Sequence, residues 1–524
     1  MTTTRRTVIR AGLAGALGGA AALATGLPAS ADSTIHDNVV IGTGYGGAVA
    51  AYRLSAAGQR VLMLEMGQRW DTPGQDGNIF SGILEPDERA VWFGERTDPP
   101  VSSVMGIDLR ADVGYGPGVL DKKNLGQMSV YRGIGVGGGS LVNGGISLRP
   151  RHQDLARELR GNIANRLIRT YIPRAESRLQ LNTIRDKFFE QTPWYQYSRT
   201  ARDSAIRAGF AVDSMPNFYD FAYMEQEAAG TVPASALAGE LIYGNNHGRR
   251  SLPFTYLGSA EATGLVSIQT LTEAVTVKEV SRGVFEISCR VRDHAGAVVD
   301  EPIVRARRVF FGAGSVGTSE LLLRSREGGG LNRLNSHVGR HWGANGNITL
   351  GRNNPDGITT GEFQSTVSVT GIDARQGRYK TYSEVAPLPL GIETGISYYL
   401  AIAQTRQTAD FVLDGDGVKL TWRAAQSHEA LERARAMFDH LNDVEGTDYR
   451  DDLFGTPGKI FTDDWTYHPL GGATIGRATD WSGKLHGYDG LYVVDGALLP
   501  ESIGANPLVT IAAVAEMVMD SVLR

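Results

Sequence analysis

Asp37-Asn-Val-Val-Ile41-Gly42-Thr-Gly44-Tyr45-Gly46-Gly47 is a short apolar run that breaks into a glycine turn. An amphipathic pattern follows through Ala57, and a second apolar run, Arg60-Val-Leu-Met-Leu64, ends at Glu65. Strand, glycine turn, helix and strand in that order form a βαβ unit of the kind that binds dinucleotides. Gly42 makes the turn, Gly44 leaves room for a pyrophosphate at the helix N-terminus, and Gly47 lets the helix lie on the strand. Glu65, twenty-three residues after Gly42, is placed to accept ribose hydroxyls and disfavours a 2′-phosphate, which leaves FAD or NAD.

A second glycine stretch, Arg132-Gly133-Ile-Gly-Val-Gly137-Gly138-Gly139-Ser140-Leu-Val-Asn143-Gly144-Gly145, favours FAD. It embeds Ile134, Val136, Leu141 and Val142 among its glycines, so it reads as a packed segment that lays backbone N–H groups along a retained flavin. Farther on, Arg308-Val-Phe-Phe311 runs into Gly312-Ala-Gly314-Ser-Val-Gly317 and a helix-like Thr318–Arg324, a second strand-turn-helix facing the nucleotide.

The rest of the chain falls into layers around these turns. From Arg151 to about Asn245 the pattern is helical. Strands are expected at Leu265–Leu271, Val275–Val280 and Val284–Val291, with Cys289 as plain core. Between Gly346 and Phe461 alternating strands (Gln364–Gly371, Thr394–Ala403) mix with a helix at Glu429–Leu441, as in a sheet-based substrate domain. The chain closes with strand Gly490–Val494, a turn through Ala505, and helix Pro507–Leu523. There, Asn506 before Pro507 reads as an N-cap followed by an N1 proline, with the positive helix end directed at the flavin. His468, in Trp465-Thr-Tyr467-His468-Pro469, is either a satisfied core histidine or a functional one.

Composition narrows the classes. At 524 residues the chain is long enough for two or three domains, and 66 glycines imply many tight turns and close backbone approaches. A net charge of −5 with mixed signs gives no basic field, so nucleic acid is not an expected partner. The opening residues, Arg5-Arg6 before an Ala/Gly-rich run from Ala11 to Ala24 and a small-residue site at Leu27–Ala31, read as an export signal of twin-arginine type over 1–31. A secreted protein follows from that reading, and its single cysteine can form no internal disulfide.

The glycine stretches, the Tyr467-His468-Pro469 turn and the Asn506-Pro507 helix start together resemble the glucose–methanol–choline oxidoreductase family. Tyr131–Gly145, Gly239–Gly248, Gly312–Leu323, Pro387–Thr394 and Tyr467–Gly472 resemble its sterol-oxidising branch with non-covalently bound FAD, over about residue 37 to the end. The fold so implied is α/β (α+β), with a Rossmann-like FAD-binding domain from 32–150, 247–345 and 462–524. An inserted sheet-and-helix substrate-binding domain comes from 151–246 and 346–461. The resemblance extends the cofactor site to Ile146, Val275, Gly314, Asp495, Gly496, Asn506, Pro507 and Leu508. It also makes His468 the partner of the substrate hydroxyl, Asn506 a neighbour of flavin and substrate, and Glu393 the base that moves a ring proton. Trp465 and Tyr467 would line the substrate pocket. The lining departs from the family pattern at Ile146, Trp465, Thr466 and Gly395.

If Glu393 faces an apolar cavity, desolvation raises its pKa; in a strand-like stretch it could equally face solvent. The implied reaction oxidises a sterol such as cholesterol to the ketone, with oxygen as acceptor and hydrogen peroxide released, and shifts the Δ5 double bond to Δ4. No metal is expected, and a monomer making transient contact with a lipid surface through a mobile loop at Gln75–Phe93 is. The rivals are a family alcohol oxidase acting on a non-sterol alcohol and a non-catalytic FAD-containing sterol-binding protein.

Overall fold

The computed structural model describes residues 34–157, 159–356 and 358–524; the export signal expected over 1–31 lies outside the described residues. Val39, Val40 and Ile41 are β-branched residues buried on both faces, which is what a central parallel strand requires. Their strand, Ile35–Ile41, pairs in parallel with Val61–Leu64 on one side and Ile303–Phe311 on the other. Val266–Gln269 adds a parallel strand beyond Val61–Leu64. On the far side the strand Ile303–Phe311 has two partners. Its first half pairs antiparallel with Val284–Arg292, and Val309–Phe311 pairs in parallel with Leu491–Val493. The outcome is an eight-stranded sheet assembled from distant parts of the chain. Cys289 is a free, buried core residue of this sheet, as expected.

A second sheet, of six strands, runs in the order Tyr449–Arg450, Asn347–Asn353, Ile396–Ala403, Thr381–Ala386, Thr370–Ala374 and Ala211–Ser214. All its pairings are antiparallel. Ile396–Ala403 is buried along its whole length because the long helix His428–Glu445 covers it. The glycine turns lie beside the first sheet and the wider pocket lies beside the second.

The expected division of the chain differs in two places. Helices between His152 and Arg178 pack through Leu155, Ile163, Leu167 and Ile172 into the core of the first sheet, not the second. They meet the final helix Leu508–Val522, where Arg174 pairs with Glu516 and Asp520 and Arg53 with the same two carboxylates. The hairpin Phe411–Asp414/Gly417–Leu420 also joins the first core. Between Ile184 and Ala236, Phe189, Tyr195, Tyr219 and Met224 pack with the second sheet, while Phe218 joins the first core. A helical pattern predicts an apolar stripe without saying which layer that stripe will meet.

Candidate active site

One cavity of about 1110 Å³ runs between the two sheets. At one end the nucleotide turn is as tight as its glycines imply. Gly42 has φ +89°, and a Cβ there would lie 2.5 Å from the Gly312 carbonyl oxygen. A Cβ on Gly46 would lie 1.9 Å from the Val494 oxygen, and one on Gly47 2.1 Å from the Gly42 oxygen. These glycines let strand and helix close together, with Gly47 packed away from the cavity wall. Gly44 is different. It faces the cavity, and its Cβ position has no neighbour nearer than 3.9 Å.

Gly139, Gly144 and Gly314 also line the cavity with open space where a Cβ would be. A side chain at any of these positions would fill the cradle, so the backbone here is kept bare for a large flat group. FAD fits that requirement. Glu65 forms the adjoining wall, accepting hydrogen bonds from Thr43 N (3.0 Å), Thr43 Oγ1 (2.6 Å) and Gly67 N (2.9 Å). Asp495 ties the second glycine turn to the last strand by accepting from Gly314 N (2.8 Å) and Thr318 Oγ1 (2.6 Å). Its burial pushes its pKa up to about 6.

Tyr45, Gly133, Gly138, Asn143, Gly145, Ile146, Gly496, Asn506, Pro507 and Leu508, all expected at the cofactor, line the same cavity. Three others stand behind it. Gly137, with φ +115°, packs against Pro253, and Ser140 Oγ bonds to Gly137 O and accepts from Leu252 N. Val275 is off the wall, next to Thr272, Glu273 and Ala274, which line it.

Asn506 is not an N-cap. Helix Leu508–Val522 is capped at Pro507 with no side-chain bond, and the first intrahelical bond runs from Ile511 N to Pro507 O. The Asn506 amide turns away to donate to Glu384 Oε1 at 2.5 Å, and its own Oδ1 is buried with no partner. Glu384, in the strand Thr381–Ala386, is 5% exposed and lines the cavity. Burial pushes its pKa up to about 7, against the opposing bond from Asn506.

Glu393 does not sit in the cavity. It is exposed and off the wall, in a turn where it accepts from Thr360 Oγ1 (2.6 Å), Thr360 N (3.2 Å), Gly361 N (2.5 Å) and Gly395 N (2.7 Å). Partial burial pushes its pKa upward, but those bonds outweigh it and hold the carboxyl below its ordinary value. The expected desolvated base is therefore not Glu393. Sequence reasoning missed Glu384, for which the one available signal was a lone glutamate inside an otherwise strand-like Thr381-Tyr-Ser-Glu-Val-Ala386.

His468 lies on the wall and is 5% exposed. Thr466 Oγ1 donates to Asn347 Oδ1 (2.7 Å), which leaves Asn347 Nδ2 to donate to His468 Nδ1 (2.9 Å). The neutral ring then carries its proton on Nε2, and burial pushes its pKa down to about 3. Tyr467 lines the cavity beside it. Trp465 is packed behind, edge-on to Tyr131 and tilted against Tyr467, so it supports the wall without forming it.

Known proteins resemble this chain over most of its length. A model described as "GMC oxidoreductase" matches residues 18–345; a second of the same description matches 415–515, and "GMC oxidoreductase, C-terminal" matches 345–455. The chain is 23% identical to a protein named cholesterol oxidase from Acinetobacter baumannii, over 92% of this chain and 94% of that one. It is 22% identical to long-chain-alcohol oxidase FAO4B from Arabidopsis thaliana, over 93% of this chain and 67% of that one. A crystal structure of pyridoxine 4-oxidase from Mesorbium loti shares the fold with a TM-score of 0.61 at 16% identity, covering 93% of this chain and 99% of that chain. The family models cover the nucleotide turns, both sheets and the His468–Asn506 wall, and the chain therefore belongs to the GMC (glucose–methanol–choline) oxidoreductases, a family of flavoproteins that generally hold FAD and act on alcohols.

Proposed function

We propose that this protein oxidises the 3β-hydroxyl of sterols to the ketone and moves the Δ5 double bond to Δ4, converting cholesterol to cholest-4-en-3-one. The observation that carries this reading is the position of Glu384: a buried cavity carboxylate with a pKa of about 7, bonded to Asn506 and sharing the wall with His468. Alcohol oxidation needs a base only to take the hydroxyl proton and does not require that a proton be handed back to carbon. A β,γ-unsaturated ketone does, because its C4 proton is acidified by the carbonyl and the alkene, and a carboxylate near neutral pKa can take it and return it at C6.

His468 Nε2–H would donate to the substrate oxygen and hold C3 in register, an interaction that strengthens as the carbonyl forms. Asn506 holds the Glu384 carboxylate in place through its Nδ2. When bound, FAD would supply the acceptor for the C3 hydride and a path for its electrons to oxygen, so that this hydride and the departing hydroxyl proton together leave as hydrogen peroxide. Gly44, Gly139, Gly144, Gly314 and Glu65 would hold it. Among the described residues His468 is the one histidine or cysteine that lines the cavity, and its Nδ1 is engaged by Asn347, which supports a non-covalent cofactor.

A lipid surface is the proposed source of the sterol. Leu84 on the cavity wall and Met105 and Ile107 at a neighbouring hairpin tip are 57–59% exposed. The expected mobile loop is only partly free, since Asn246 bonds the backbone of Ile79 and Phe80 and Arg89 bonds Asp76, Asp87 and the Asn78 carbonyl. Export through the signal at 1–31 belongs to the same reading.

The deciding experiment adds cholesterol anaerobically to the purified protein, beside a panel of long-chain and aryl alcohols. Bleaching of the flavin by cholesterol, followed by conjugated enone in air, is expected. Bleaching by a non-sterol alcohol and not by cholesterol would replace this reading with a general alcohol oxidase. Acid precipitation should release intact FAD into the supernatant.

A further inference from the structure

Behind the flavin-facing turn runs a chain of buried polar groups with no part in either reaction step. It starts at Asn143 on the cavity wall. The Asn143 Nδ2 group donates to Tyr45 Oη (3.0 Å) and Gly139 O (2.7 Å), while its Oδ1 accepts from Gly145 N (2.7 Å) and Arg249 Nη1 (3.2 Å). Arg249 is 8% exposed. Its Nε and Nη2 both donate to Asn245 Oδ1, at 2.8 and 2.6 Å, and Nη1 also reaches Ser140 O at 3.4 Å. All these acceptors are neutral. Burial pulls the guanidinium pKa down to about 10, a sign of how little direct counter-charge it has.

The counter-charge stands farther along. Asn245 Nδ2 donates to Ser235 Oγ (3.1 Å), which donates to Glu240 Oε2 (2.5 Å). Glu240, also 8% exposed, then accepts from Asn246 N and Nδ2, both at 2.6 Å. Asn246 ends the chain behind the cavity wall, against the backbone of Ile79 and Phe80. Its Oδ1 accepts from Ile79 N (2.7 Å) and Phe80 N (2.9 Å), and its Nδ2 donates to Phe80 O (3.1 Å). Phe80 packs with Leu120, Tyr131 and Tyr243 of the cavity wall, just ahead of Ile83 and Leu84.

We propose that Arg249 is a positioning residue, and that the chain Asn143–Arg249–Asn245–Ser235–Glu240–Asn246 links retention of the flavin to the setting of the Ile79–Phe80 segment over the substrate end of the cavity. The proposal rests on the family's flavin and the glycine cradle, not on the sterol reading. Every member has its polar atoms satisfied by the next, so loss of one leaves a buried group without its partner. The Arg249 fork serves two side chains at once, which a lysine ammonium on a flexible stem does not reproduce. If the two ends are linked, a change at one must be felt at the other by the same factor.

The test uses holoenzyme carrying Arg249→Lys, Asn246→Ala, Glu240→Gln, or Arg249→Lys with Asn246→Ala. The flavin-release rate is followed by fluorescence, the flavin environment by visible circular dichroism, and the loop by trypsin cleavage at Arg89. Asn246 does not line the cavity, so a purely local role predicts no effect on flavin release. The linkage predicts that Arg249→Lys and Asn246→Ala each speed release about tenfold, and that the double variant releases flavin no faster than the worse single. Both should alter the visible spectrum and expose Arg89. Release by Asn246→Ala within about twofold of wild type, or additive effects in the double variant, overturns the linkage. Unchanged release and spectrum in Arg249→Lys overturn the positioning role. Should Arg249→Lys fail to fold, Glu240→Gln, nearly isosteric, takes its place in the same cycle. A wild-type protein that holds no flavin would defeat the cofactor reading itself and is distinguishable from all of these.

Discussion

Glu384 and Glu393 belong to one stretch of chain and carry the same functional group, yet they differ in every property that bears on catalysis. Glu384 lies in a strand with the second sheet around it, one hydrogen bond to hold it and its pKa pushed up to about 7. Glu393 lies in an exposed turn with four donors around its carboxylate and its pKa held down. A carboxylate surrounded by N–H and O–H donors is a turn staple; one starved of them is a base. Local motif reading cannot tell these apart, since the difference is made by what the rest of the fold brings to each.

The largest expected effect separates the two directly. Glu384→Gln keeps the acceptor for Asn506 Nδ2 but is too weak a base, and conversion of supplied cholest-5-en-3-one to the conjugated enone should fall ~10²–10⁴-fold. Peroxide release from cholesterol should stay measurable. Wild-type enone formation by this variant would break the comparison. Next in size, His468→Ala should lower kcat for sterol oxidation by ~10²-fold with a smaller change in KM, because the lost hydrogen bond matters most as the carbonyl forms. A raised KM with unchanged kcat would instead make His468 a binding group.

The pH dependence sharpens the same contrast. Glu384 must be ionised to act as a base, so enone formation should rise about tenfold per pH unit up to about pH 7 and then level off. His468, neutral down to about pH 3, adds no second inflection near neutrality. A flat profile from pH 5 to 8, measured from cholest-5-en-3-one, would show that no such carboxylate limits the step. Smallest of all, Glu393→Gln should leave both activities within about twofold of wild type and lower stability by about 1 kcal/mol through weakened turn bonds, read by urea denaturation.

Much of the fold was legible in the residues. The turn at Gly42–Gly47 with Glu65, the repeat of that pattern at Gly312–Gly317, and the strands around Cys289 all depend on local chemistry that sequence carries openly. The Arg-rich helices between His152 and Arg178 were legible as helices but not as neighbours of Leu508–Val522, because an apolar stripe does not name its partner. Thr381–Ala386 was missed since a strand buried on both faces loses the alternation that marks a half-exposed one. Asn506 read as a helix cap because Asn-Pro ahead of a helix is a cap in most settings, and only the second sheet supplies the carboxylate that turns its amide aside.

The strand Ile303–Phe311 takes Ile35–Ile41 on one side and Leu491–Val493 on the other. During synthesis from the amino end, the nucleotide turn leaves the ribosome long before the strand and the Asp495–Pro507 segment that close the cradle over it. Glu384, too, emerges without Asn506 to receive. The first sheet must wait, half-edged, while the chain between its strands is made, and pairings so remote in sequence are the slow kind. Closure of the cradle is thus late in folding, and a chain interrupted before Leu491 would have its dinucleotide motif in full and lack the Asp495 carboxylate that fixes the Gly314 turn.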